Sequence, residues 1–471
     1  MGVLSLQPNN ENFDECNFYE GKIAIHFPKE KCWETQKEKS NDLENKNIND
    51  EIQEENNSNQ ISENKLEVDE KFEKEKIEKD SEKKEEENKE INININNKEN
   101  ELGINFSFNN TSNININNNI VQQNYFFPLV GLINVGSTGF MNATLQFLLH
   151  VSELSNYFLY EYPKDKNFLK SNCKNILTKG DLSNAYYEVV KSVDKLSKDE
   201  IKFSYNSYSP SNFKTILGKY NPQFSQPEAN DSKDLILYLL QTFHEELNYF
   251  GDKAIPKNIP LPDPTLRTNS FNYFTTTYQS TNFSKISQLF FGTYENTIKC
   301  SICNTIYYSY QKFEFITFST YNYKNNKFSI LNGFNDSILG QKLEGENQYM
   351  CNKCKKLVDA ELFTKIIEPP IKLIINIDYG KDKINSVQKF IFEHELDITD
   401  FLSFKFDKNV KYKLSSICSH RGFSGPTGLY YTFCKNKENN TWYKFDNSSC
   451  GEIDNYEIIR GDPYLLIYER I

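Results

Sequence analysis

Apolar residues recur along the C-terminal part of the chain with helical and strand periods. In "GFMNATLQFLLH", Met141, Leu145, Leu148 and Leu149 fall at i, i+4, i+7 and i+8, the stripe of one helix face, and Ser137 or Thr138 stands where a first turn is capped. A second stripe runs through "DSKDLILYLLQTFHEELNYF". Leu235, Ile236, Leu239, Leu240, Phe243 and Leu247 predict a helix over 231–250 with Asp231 or Ser232 at its cap. His244 lies off that stripe and is expected on the surface. "IKLIINI" is of strand length, and no apolar run approaches the 18 or so residues of a membrane span, so a soluble chain without a membrane partner is expected.

Before about residue 120 the periodicity gives way. Charged repeats such as "EKFEKEKIEKDSEKKEEENKE" pass into "INININNKEN", a composition that buries too little apolar surface to offset chain entropy. Residues 34–120 are therefore read as a disordered acidic and Asn-rich linker, with the Ile/Asn alternation as the one strand-like feature. Ahead of it, "FYEGKIAIHFP" (18–28) makes residues 1–33 a short segment that either docks as a strand on a protein partner or is a loose apolar end. The fold is expected in 125–471.

Composition fits this division. Only 38% of the 471 residues are hydrophobic, low for one globule, and the net charge of -11 is concentrated in the linker, which argues against nucleic acid as a partner. "MGVLSL" has Gly2 but carries Leu6 where acylation needs Ser or Thr. Ten cysteines without a signal peptide read as an intracellular thiol set, in the cytoplasm, the nucleus or both.

Four of those cysteines form two C-x-x-C knuckles, Cys300 and Cys303 in "KCSICN" and Cys351 and Cys354 in "YMCNKCKK". Four thiolates satisfy tetrahedral zinc in a closed structural site with no open position for catalysis. The interval between the knuckles exceeds the common ribbon spacing, so a hairpin or insertion must lie between them. A redox role is disfavoured by the presence of two such motifs and no thioredoxin-like context.

"GLINVGSTGFMNATLQFLLH" has the form of an approach to a nucleophile: a glycine turn running into a helix N-terminus, where backbone N–H groups and the macrodipole favour a thiolate. Position 139 is glycine and supplies no sulfur.

From about Leu129 to Glu469 the chain resembles the catalytic domain of the ubiquitin-specific proteases. "GLINVGSTGFMNATLQ" is similar to that family's cysteine box and "NDSKDLILYLL" to its second-helix motif. "LFFGTYENTIKCSIC" with "YMCNKC" resembles its fingers, and "IIEPPIKLIINIDYG" and "FIFEHELDITDFL" resemble the strands that follow. "YKLSSICSHRGFSGPTGLYYTFCKNKENNTWYKFDNSS" and "PYLLIYER" resemble its histidine box and last strand. The resemblance implies an α+β, papain-like cysteine protease fold with thumb, palm and zinc-ribbon fingers (about 288–365), ubiquitin or a ubiquitinated protein as partner, and zinc as a structural cofactor.

It also exposes departures. The family's nucleophile falls at Gly139 and its general base at Leu429, while Asp446 matches the third triad position and Asn134 the residue that supports the oxyanion. His420 matches a second, non-catalytic histidine of the family; Cys418 and Cys434 lie on predicted strands rather than at a helix N-terminus. The family's Arg-Phe strand end is Tyr379 and Gly380 here, and its Gln-Gln is Ala229 and Asn230. Asp231 keeps the position that receives an arginine near ubiquitin's C-terminal tail. These residues imply a pseudoenzyme that binds ubiquitin without isopeptidase activity. A scaffold that no longer binds ubiquitin and a thiol-dependent deubiquitinase with non-standard catalytic residues are the alternatives.

Overall fold

The computed structural model describes residues 125–471 except 199–206, 227, 251–260, 321–322, 324–326, 339, 381–389, 404–408, 425–426 and 455–461. The segments 1–33 and 34–120 lie outside the described residues. Helices dominate the first half: β1 (Gly131–Leu132), α1 (Gly139–Leu149), α2 (Ser152–Asn156), α3 (Tyr162–Ser171), α4 (Asp181–Lys198), β2 (Ser207–Tyr208), α5 (Ser211–Tyr220), α6 (Ser232–Glu246), α7 (Arg267–Gln279) and α8 (Lys285–Phe290). Strands dominate the second. The fingers and their return use β3 (Gly292–Cys300), β4 (Ile306–Phe313), β5 (Ile316–Ser319), β6 (Phe328–Ser329), α9 (Ile330–Ile338), β7 (Gln341–Leu343), β8 (Tyr349–Cys351), β9 (Lys356–Val358) and β10 (Ala360–Glu368). The palm is completed by β11 (Lys372–Asp378), β12 (Phe390–Ile391), β13 (Glu395–Asp397), β14 (Lys411–Ser424), β15 (Thr427–Lys435), β16 (Trp442–Asp446), β17 (Ser449–Ile453) and β18 (Pro463–Arg470).

Among the described residues the palm sheet runs β17-β16-β15-β14-β18-β11-β5, with β13 paired to β14, and the fingers sheet runs β4-β3-β10-β7. Between the two cysteine knuckles the chain leaves the fingers along β4, enters the palm as β5, parallel to β11, and returns through α9 and β7. That excursion is the insertion the long spacing required.

The helix α6 obeys its periodicity, with Leu235, Ile236, Leu239, Leu240, Phe243 and Leu247 all fully buried. Its neighbour α1 departs from expectation. Every residue from Phe140 to Leu149 is buried, so α1 is a central helix with no solvent face rather than an amphipathic one. The polar residues that a helical wheel would place outside are bonded inward instead. Asn142 Nδ2 donates to Leu132 O (3.1 Å), Gln146 Nε2 to Val130 O (2.8 Å), and Thr432 Oγ1 of β15 to Ala143 O (2.8 Å). A buried Glu246 at the end of α6 likewise accepts the first amides of α4, from Leu182 and Ser183. Lys372 of the palm, almost fully buried, pairs with Glu153 of α2 (2.9 Å) and Glu469 of β18 (2.6 Å), tying helices to sheet.

His244 is partly buried rather than free on the surface. Its Nδ1 is hydrogen-bonded to Ser284 Oγ (2.8 Å), the cap of α8, and its ring packs 4.9 Å from Phe291, a tertiary partner that helical spacing does not reveal. His150 is similarly enclosed, between Phe127 (4.5 Å) and Phe445 (4.4 Å).

Two predictions follow from this packing. Burial lowers both His150 and His244 to about 4, so between the unfolded value near 6.5 and 4 only the unfolded chain takes up these protons. Stability then falls as pH falls through that window, by up to about 1.4 kcal/mol per pH unit for each histidine; melting curves from pH 7 to 5 should show the loss, and His244→Gln should flatten it. The second concerns two glycines. A Cβ on Gly131 would lie 2.2 Å from Ser448 O, whereas one on Gly139 meets nothing within 4 Å. Gly131→Ala should therefore cost roughly 1–3 kcal/mol, and Gly139→Ala should be neutral or stabilising by up to about 1 kcal/mol, measured by denaturant unfolding of each.

Candidate functional site

The loop entering α1 is wound around one side chain. Asn134 Oδ1 accepts from Gly136 N, Thr138 N and Thr138 Oγ1, each at 3.1 Å, and Val135 N donates to Thr138 Oγ1 (3.0 Å). Gly136 and Ser137 take positive φ values of 110° and 48° to close it. Thr138 is the residue preceding the helix, but its hydroxyl is committed to the loop, so no side chain caps α1. The expected capping by Ser137 or Thr138 is thus absent. Gly139 opens the helix with free space before it.

The turn between β16 and β17 is pinned against this loop. Leu132 N donates to Asn447 O (2.7 Å), and Asn142 Nδ2 bridges Asn447 Oδ1 (2.9 Å) and Leu132 O. Asp446, at the end of β16, is half-buried, faces Lys444 Nζ at 3.3 Å and accepts from Asn447 Nδ2 (3.4 Å). Asp446 and Gly139 are therefore brought to the same corner through Asn142.

Leu429 is two-thirds exposed at the start of β15, opposite Arg421 in register. It follows Gly428, whose φ of 140° and close approach to Arg421 O leave no room for a side chain. His420 is buried under this turn and stacked on Tyr430 at 4.3 Å. Cys418 and Cys434 are buried in the sheet, and burial pushes the Cys434 thiol far above the usual range, the opposite of an activated nucleophile.

Asp231 is the true cap of α6: its Oδ1 accepts from Lys233 N (2.8 Å) while Oδ2 accepts from Tyr464 Oη (2.7 Å). Ser232 Oγ donates to Phe140 O (3.0 Å), which fixes the start of α6 against the first turn of α1. Tyr379 spends its hydroxyl on Pro463 O (2.6 Å), and Asn230 donates to Gln223 O (3.1 Å).

At the fingertip, Cys300, Cys303, Cys351 and Cys354 bring their sulfurs within 4.8 Å of one another, close to the edge of about 3.8 Å that four Zn–S bonds of about 2.3 Å would set. The two knuckles are built alike. Cys303 N and Cys354 N each lie 3.4 Å from the preceding cysteine sulfur, and Asn304 and Lys355 both take positive φ. Amide donors directed at sulfur suit thiolates, so the residues fit a bound divalent metal. Tyr307 Oη at 3.3 Å from Cys351 Sγ adds a further polar contact.

Asn142, Asn447 and Tyr464 were not singled out in the sequence. Asn142 carried a signal, a poor helix former inside an apolar helix; the partners of Asn447 and Tyr464 are hundreds of positions away and leave no local pattern.

Comparison with known proteins extends the site. A family model described as ubiquitin carboxyl-terminal hydrolase matches residues 130–468. Ubiquitin carboxyl-terminal hydrolase 4 of Vanderwaltozyma polyspora is 28% identical over 369 residues, 73% of this chain and 41% of that protein. Ubiquitin carboxyl-terminal hydrolase 5 of Saccharomyces cerevisiae is 26% identical over 73% of this chain and 45% of its own length. For ubiquitin carboxyl-terminal hydrolase 2 of Homo sapiens the figures are 26%, 72% and 55%. The match thus spans about half of these relatives. Among solved structures, the SAGA DUB module bound to monoubiquitin aligns with a TM-score of 0.53 at 21% identity, over 73% of this chain and 69% of that one. The module bound to ubiquitin aldehyde has the same TM-score and identity over 73% and 70%, a likeness of fold. With a matched model covering most of its length and the thumb, palm and fingers in place, this chain belongs to the ubiquitin carboxyl-terminal hydrolase family, as a ubiquitin-specific protease catalytic domain.

Proposed function

We propose that this chain is a pseudoenzyme of its family that holds ubiquitin or a ubiquitinated protein, as an adaptor or scaffold, without cutting the isopeptide bond. The observation that carries this reading is Gly139. It occupies the position where an uncapped helix N-terminus would stabilise a thiolate, and no packing demand explains a glycine there. Leu429 supports it, since an exposed apolar side chain cannot take or return a proton. His420 is stacked into the core and Cys418 and Cys434 are buried, which argues against any of them as a substitute. Ubiquitin in the similar SAGA DUB module structures supports the choice of partner. A scaffold that has lost ubiquitin is favoured by Asn230, Tyr379 and Gly380, which replace family residues near the tail groove.

Loss of a triad nucleophile costs on the order of a millionfold in turnover. Calorimetry should show ubiquitin binding to the purified chain, and a ubiquitin–fluorophore assay should show no turnover; Gly139→Cys with Leu429→His should restore slight activity, because the thiol enters open space and Asp446 remains. Turnover by the unmodified chain that is lost in a Cys418→Ser, Cys434→Ser variant would refute the pseudoenzyme reading. Absence of ubiquitin binding by a folded chain would select the scaffold.

We also propose that Cys300, Cys303, Cys351 and Cys354 hold one structural zinc. The fingertip has its own small core around Ile298, Tyr307, Val358 and Leu362, separate from those of thumb and palm. Metal analysis of protein purified without chelator should return about one zinc per chain, and chelation should expose fingertip amides to hydrogen exchange while the palm stays protected. Zinc-free protein with a protected fingertip would count against the site.

A further inference from the structure

We propose that Tyr464 is a positioning residue, whose hydroxyl sets the Asp231 carboxylate to receive a cationic side chain from the C-terminal tail of bound ubiquitin. This rests on the ubiquitin-binding reading above and adds a residue to it.

An ionised carboxylate accepts hydrogen bonds in about four directions. At Asp231 each oxygen accepts one hydrogen bond: Lys233 N holds Oδ1 at 2.8 Å and Tyr464 Oη holds Oδ2 at 2.7 Å. The backbone amide alone would serve a helix cap. The second bond fixes the rotation of the carboxylate and leaves its remaining lone pairs in a defined plane. Among the described residues no lysine or arginine forms an ion pair with Asp231; its neighbour Lys233 turns to Asp234 instead, at 3.6 Å. A half-buried carboxylate that is oriented but has no cation of its own is arranged for one supplied from outside.

Tyr464 is fit to orient it. It stands on β18, an interior strand between β14 and β11, and its ring lies 5.7 Å from His420 and 6.3 Å from Tyr430, with His420 and Tyr430 stacked on each other. Gly428 closes over this group, since even a Cβ there would come 2.6 Å from His420 Nε2. The stack is built on palm strands, so the tilt of the Tyr464 ring is restrained by its neighbours. Burial and the charge of Asp231 keep the Tyr464 hydroxyl protonated, so it remains a donor. His420 thereby has a place in the site that involves no proton transfer: it backs the ring that holds the carboxylate.

The test is calorimetry on the full chain with two probes, ubiquitin and a ubiquitin whose tail arginines are replaced by alanine. Tyr464→Phe keeps the ring and removes only the hydroxyl. It should weaken ubiquitin binding about tenfold, the worth of one hydrogen bond to a charged group. It should cause no further loss in an Asp231→Asn background and no loss with the arginine-free probe. Melting curves report the fold separately. Weakening by Asp231→Asn but not by Tyr464→Phe would overturn the positioning role and leave ubiquitin recognition standing. Equal weakening of both probes by Tyr464→Phe would mark a structural effect and overturn it as well. A folded wild type that binds neither probe would overturn this inference and the ubiquitin reading together.

Discussion

A helix buried on every side sets the terms for the rest of the molecule. From Phe140 to Leu149, α1 has no exposed residue, so its polar side chains cannot turn to water. An unpaired buried donor costs about 1–3 kcal/mol, and the side-chain N–H groups of Asn142 and Gln146 are spent on the carbonyls of Leu132 and Val130 and on the side chain of Asn447. Those bonds fix the entering strand β1 and the β16–β17 turn. The corner where a family member would assemble its chemistry is thus held together by the same contacts that let the helix be buried. The glycine turn before Gly139 is wound on Asn134 Oδ1 in the same frame, and Asp446 joins it through Asn447.

Much of this was legible in the residues. The α6 stripe read correctly because that helix presents one face to the core and tertiary packing agrees with local period. The cysteine knuckles were legible because each C-x-x-C pairs its two sulfurs within one local turn, and the fold brings all four sulfurs within 4.8 Å of one another. What misled was residue type used as a proxy for exposure. Asn142, Thr144 and Gln146 look like a solvent face and are buried; His244 lies off the apolar stripe but meets Ser284 of another helix. The path from Cys303 through β5 to Cys351 depends on β5 pairing with β11, a long-range match that no local pattern encodes.

Buried charge sits at junctions between elements. Lys372, nearly inaccessible, reaches Glu153 on one side and Glu469 on the other, and Lys437 completes the chain of pairs at Glu469 (2.5 Å). A lone buried ammonium would be strongly unfavourable, so the two carboxylates must stay in place once the lysine is there. The same logic appears at Glu246, whose burial raises its carboxyl above the usual range while two amides of α4 hold it. Both groups fix how helices meet their neighbours.

Three glycines separate positions where packing demands the residue from one where it does not. Gly131 is required, because Ser448 occupies the volume of any side chain there, and Gly428 is required by its φ and by His420 beneath it. Gly139 answers to neither constraint. Its backbone is helical, its Cβ position is open, and as a first-turn residue it forgoes the propensity that alanine or serine would bring. A residue that packing does not ask for, at a helix end that no side chain caps, is the observation on which the proposed pseudoenzyme reading rests.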